Sequence, residues 1–181
     1  MSAPDRIILG SAKLFMMEFT GSAIPEDATI EVEGNRAGHI KNGASLEYTP
    51  TFYNAKDDLG EVQKSRLTEE DVLIKCGVMT ITGESLAKQI ASARVTEASG
   101  KRTVKIGGVG NDNGKKYLIR LLHEDPADGD IRLTIVGRNE AGITLAFAKD
   151  SETIVNLELR AHPHDADGTL VIYDEEIPAA T

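Results

Sequence analysis

The sequence predicts a mostly β, antiparallel domain carrying one helix, and three stretches support that reading. Across residues 131–136 apolar and polar side chains largely alternate. In a later stretch Val155, Leu157, Leu159 and Ala161 fall on one face while Asn156, Glu158 and Arg160 fall on the other. A period of two marks a half-buried strand. Asp128-Gly129 and Asp167-Gly168 precede the first and last strands of this region, where glycine supplies the positive φ that tight turns need. The third stretch, residues 84–93, places Leu86, Ile90 and Ala93 on one helical stripe, with Thr82 as N-cap and Glu84 and Ser85 in the first turn. A helix this short is marginal alone and must lie across a sheet.

At 181 residues the chain fits a single domain, 1–181, large enough to bury a core. Four Phe, four Tyr and no Trp make that core aliphatic. A formal charge of −9, from 29 acidic against 20 basic residues, argues against a protein that grips nucleic acid through its phosphates. The apolar stretch Ile7-Ile8-Leu9 is too short for a signal-peptide core, and no run is long enough to span a bilayer, so the expectation is a cytosolic product without a membrane segment. The lone Cys76 excludes an internal disulfide framework and a Cys-rich zinc site.

Taken in order, residues 1–19 read as an N-terminal arm and first strand, with Met16 and Met17 as adaptable core filler. Residues 20–28 carry Pro25 and read as loop. Residues 29–33, Thr-Ile-Glu-Val-Glu, alternate and predict a strand that ends at Gly34-Asn35. Lys41-Asn42-Gly43 predicts a turn before the strand 45–53, where Leu46, Tyr48, Pro50 and Phe52 share a face and Pro50 marks an edge or bulge. Residues 54–71 form a long charged loop, half of its eighteen residues ionisable and only four apolar. A structureless segment of that length is functional or disordered in most compact domains, and here it suggests a loop that orders against another subunit. Residues 72–81 predict a buried strand leading into the helix. Residues 103–106 and 117–122 predict two strands around a glycine-rich hairpin connection, and 174–181 forms a C-terminal tail.

Several motifs tempt and fail. In residues 107–116 the position five before Gly114-Lys115 is Val109 and the residue after Lys115 is Lys116, so the phosphate loop lacks its first glycine and its magnesium hydroxyl. Gly108, Gly110 and Gly114 miss the dinucleotide spacing, and no helix follows. His162, His164, Asp165 and Asp167 lack the remaining ligands of a calcium loop and read as a polar turn between strands, as do Glu124 to Asp130. Cys76 sits in an apolar run that disfavours a thiolate, and neither His39 nor His123 accompanies a nucleophile elbow. No catalytic, cofactor-binding or metal residue is assigned.

Leu-Glu-Tyr-Thr-Pro-Thr-Phe-Tyr at 46–53, Gly-Val-Met-Thr-Ile-Thr-Gly-Glu at 77–84, Arg-Thr-Val-Lys-Ile-Gly-Gly at 102–108 and the stretch 131–150 together resemble the major tail protein of tailed bacteriophages, the tail tube subunit. The resemblance covers most of the chain after residue 45. It implies two packed antiparallel sheets, a β-sandwich or barrel-like fold, flanked by one α-helix. It also implies a non-enzymatic virion protein that self-assembles into hexameric rings stacked as a hollow tube, the conduit for DNA into the host. Its partners would be further copies of itself, tape-measure and tail-completion proteins, and double-stranded DNA in transient passage. The long loop would bridge subunits through Asp57, Asp58, Leu59, Glu61, Lys64, Arg66 and Leu67. Asn156, Glu158 and Arg160 are candidates for the lumen face, where carboxylates would repel phosphates and let DNA slide. The alternative is a monomeric β-sandwich module for a small ligand or carbohydrate, disfavoured by the absence of Trp and the scarcity of Tyr.

Overall fold

A computed structural model describes residues 8–21 and 23–177, so the expected arm before residue 8 and the end of the tail lie outside the described residues. The elements in order are β1 (Lys13–Glu18), α1 (Asp27–Ile30), β2 (Arg36–Gly38), β3 (Ile40–Lys56), β4 (Gln63–Val78), α2 (Gly83–Lys88), β5 (Arg94–Ala98), β6 (Lys101–Lys105), β7 (Tyr117–His123), β8 (Ile131–Asn139), β9 (Val155–Ala161) and β10 (Val171–Glu175). They form two antiparallel sheets with two short helices, a β-sandwich-like fold. The larger sheet has eight strands in the order β2-β1-β7-β8-β9-β4-β3 with β10 also on β8, and the smaller is the hairpin β5-β6.

The larger sheet doubles back because β8 changes partner along one edge. Its opposite edge pairs with β7 from Ile131 to Gly137. On the shared edge Ile131 to Ile135 pair with β10, whereas Gly137 to Asn139 pair with β9. At the fork the backbones nearly touch: a Cβ on Gly137 would stand 1.9 Å from the Arg160 carbonyl oxygen. Only glycine admits that approach. The fold back places Leu14, Met16, Ile119 and Ile135 in one buried cluster with Val72, Ile74, Leu157 and Leu159. The β9 alternation of the sequence appears intact, with odd residues 155–161 buried and even residues exposed.

The outer face of β1 and β7 supports a second, smaller core of Phe15, Ile30, Leu118 and Leu122, against which Met17, Phe19 and Ile24 pack. The adjacent methionines thus serve two cores, one on each face of β1. Here the expected strand over 29–33 is replaced by α1 and a 3-10 turn at Glu33–Asn35. Helical spacing lets Asp27 and Glu31 reach the same pair of arginines, which an extended chain would not allow. Arg120, 2% exposed, donates to Glu31 at 3.0 Å and to Asp27, and its Nε donates to Thr134 at 3.0 Å. Arg132 donates to Glu31 at 2.7 Å and to Glu176 at 2.7 Å. The bond from Arg132 holds the Glu176 carboxyl below its ordinary range, and this cluster pins both α1 and the residue that follows β10 to the sheet.

Other expectations shift in detail. The Asn42-Gly43 turn is a bulge inside the continuous strand β3, with φ of 67° and 80° at the two residues. The helix keeps its Thr82 cap in a reciprocal capping box with Ser85 but ends at Lys88, after which residues 89–93 tighten into turns. The glycine-rich segment 107–116 is not a hairpin connection, because β6 pairs β5 while β7 pairs β1 and β8; the segment crosses from one sheet to the other.

Replacing Gly137 by Ala should lower unfolding stability by about 3 kcal/mol in urea denaturation, since β9 must move away from β8 to admit the methyl. The pH dependence follows from Glu176, whose folded pKa is depressed. Its contact with Arg132 contributes above the unfolded carboxylate value of about 4.3 and is lost as pH falls through the lower folded value. Titration by NMR should place Glu176 below the ordinary glutamate value of about 4.3, and Arg132→Gln should raise it, the Asp130 backbone N–H still favouring the carboxylate.

Candidate assembly surface

Strands β3 and β4 leave the body of the protein together. Their ladder continues from Glu47↔Leu73 out to Lys56↔Gln63. Every residue from Glu47 to Glu70 along this excursion is exposed. Ten residues of strand at about 3.3 Å each give a ribbon roughly 30 Å long. The charged stretch 54–71 is therefore not a structureless loop: Asp57, Asp58, Leu59 and Glu61 occupy the tip, whereas Lys64, Arg66 and Leu67 lie within β4. Backbone pairing stabilises such a segment without a core beneath it, and composition alone does not reveal the pairing. At the tip Asp57 Oδ1 accepts from the Val62 N–H at 2.8 Å and Gly60 takes a φ of 73°.

The two ribbon faces differ. Leu46, Tyr48, Pro50 and Phe52 share the face that continues the core, as their alternation predicts, and Phe52 stands opposite Leu67. Tyr48 is 52% and Phe52 54% exposed, with Leu59 and Val62 at the tip more exposed still. Tyr48 donates to Glu70 at 2.8 Å, and that bond raises the phenol pKa. The result is a stripe of large apolar side chains that no other described residue covers. Because β3 ends the sheet, the same ribbon also offers a backbone edge unpaired among the described residues, and Pro50, which has no N–H to donate, is tolerated on such an edge.

Asn156, Glu158 and Arg160 do come together on one exposed face, opposite the core side of β9. They stand beside Gly77, Lys75 and Leu73 of β4. That face is not a wall of carboxylates. Lys75 lies next to Glu158 and holds Glu47 at 2.7 Å, and Arg160 reaches Asp71 at 3.4 Å and Glu140 at 3.9 Å. Glu140 also binds His162 at 3.0 Å and Arg138 at 3.3 Å. Burial works against the Glu140 carboxylate, but Arg138 and His162 outweigh it and hold its pKa below the ordinary value. Charges of both signs alternate here, so a purely repulsive lining requires more than this face supplies.

Burial pushes the Cys76 thiol up to about 11, which leaves it protonated and unreactive at neutral pH. Among the described residues no group of three or more His, Cys, Asp or Glu side chains is placed to hold a metal ion, and no helix is long and apolar enough to cross a membrane. The arginine cluster under α1 escaped the sequence reading. Its signal was present, however: Arg120 interrupts the apolar run of β7, and Arg132 of β8 lies near it on the same face. No family of known proteins and no curated protein matches the chain.

Proposed function

We propose that this chain is a structural, self-assembling subunit of the tail-tube type, built to form stacked hexameric rings through which double-stranded DNA passes. The observation that carries the reading is the β3-β4 ribbon, whose Tyr48, Phe52 and Leu67 extend the core face beyond the core and stay uncovered in the single chain. Uncovered apolar stripes and open strand edges favour association, and in a subunit they are the surfaces that close on a neighbour. The resemblance in residues 46–53, 77–84, 102–108 and 131–150 supports the same reading; these stretches lie in β3, the β4-to-α2 junction, β6 and the segment after it, and β8 with the loop after it. On this reading the protein is not an enzyme and resides in the virion tail. Tape-measure and tail-completion proteins are its further partners.

Negative-stain electron microscopy of the purified chain over a concentration series tests the proposal, alongside Phe52→Asp combined with Leu67→Asp. Rings or tubes for the unaltered chain and dispersed particles for the double variant are expected. An unaltered chain that stays monomeric at the highest attainable concentration contradicts it.

A further inference from the structure

Charge in this acidic chain is unevenly placed. Residues 94–116 carry six basic side chains against two acidic, whereas residues 56–71 carry three basic against six acidic. The first segment holds the β5-β6 hairpin, closed by Ser99 and Gly100 with φ of 51° and 74°. Pairing places Arg94 opposite Lys105 and Lys101 opposite Ala98 on one face, with Thr96 and Thr103 between them. Val104 and Arg102 belong to the other face, which rests on α2: a Cβ on Gly83 would meet the Arg102 Cδ at 2.9 Å and the Val104 Cγ2 at 3.2 Å. The cationic face therefore turns away from the body. Among the described residues neither Lys101 nor Lys105 has an ion pair, and Arg94 bonds only the Gly107 carbonyl, at 3.3 Å.

The ribbon is the complement. Asp58, Glu61 and Glu69 likewise have no ion pair among the described residues, and no ion pair joins ribbon to hairpin within the chain. Both surfaces also carry exposed apolar groups, Leu59 and Val62 beside Asp58 and Glu61 at the ribbon tip and Ile106 and Val109 just beyond the hairpin. We infer that the β5-β6 hairpin is the dock for the β3-β4 ribbon of a second copy of this chain, an inference that rests on the self-assembling reading above. The two patches are different surfaces of one molecule, so each copy offers one and receives the other. Such head-to-tail contacts close into rings or extend into filaments. A second copy fits better than nucleic acid, because a chain of net charge −9 repels phosphates overall while its own ribbon tip sets Asp58 and Glu61 beside exposed Leu59 and Val62.

Charge reversal tests the pairing. Sedimentation velocity at low salt should show the assembly concentration rising about tenfold or more for Lys101→Glu with Lys105→Glu, and likewise for Asp58→Lys with Glu61→Lys. An equimolar mixture of the two variants should assemble as the unaltered chain does, since each supplies the surface the other now needs; that recovery also shows both variants to be folded. Unchanged assembly in either variant, or a mixture that fails to recover, overturns the inference. An unaltered chain that never assembles overturns the self-assembling reading itself. Binding of short duplex DNA that Lys101→Glu with Lys105→Glu abolishes, with assembly intact, assigns the hairpin to nucleic acid instead and likewise overturns the inference.

Discussion

The close approach of Gly137 to the Arg160 carbonyl is the constraint on which the rest of the structure depends. It lets one strand, β8, serve β10 along its first half and β9 along its second. Were β8 to keep a single partner, the sheet would run on with its apolar face open to water. The fork instead turns β9, β4 and β3 back over β1 and β7, so that an aliphatic core without tryptophan is enclosed on both sides. Packing of that kind depends on many small dispersion contacts, which explains why a single added methyl at the fork is costly.

The same turn determines where the ribbon lies. Once β4 has contributed Val72, Ile74, Cys76 and Val78 to the core, its earlier half and its partner β3 have no layer beneath them. The strand period nevertheless continues, carrying Tyr48 and Phe52 out on the face that would have been buried. Two-stranded ribbons are marginal in isolation, and this one also bears an open edge. Association of further copies would relieve both conditions at once, and that is the physical content of the tail-tube reading. The charges around Lys75, Glu158 and Arg160 neutralise one another in pairs, so this face is less repulsive to phosphate than carboxylates alone would be.

What the sequence made legible was local and periodic. The β9 alternation, the shared face of Leu46, Tyr48 and Phe52 and the Thr82 cap depend on near neighbours, and all three stand in the structure. Pairing is not local, so residues 103–106 and 117–122 read as one hairpin although they belong to different sheets. Residues 29–33 alternate as a strand does, yet tertiary ion pairs to Arg120 and Arg132 favour the helical spacing of Asp27 and Glu31. The ribbon was hidden by its own composition: half-charged segments resemble loops, and only the ladder to β3 makes this one a strand. Exposure of the seven candidate contact residues between Asp57 and Leu67 was legible for that same reason, whereas their division between tip and strand was not.

Amide hydrogen exchange across residues 47–56, compared between dilute monomer and concentrated chain, tests the central claim most directly. If the ribbon is the surface that neighbours cover, protection of β3 should rise with concentration while β7, buried and paired with β1 and β8 on its two edges, stays unchanged. Assembly that leaves residues 47–56 exchanging as fast as in the monomer would contradict it.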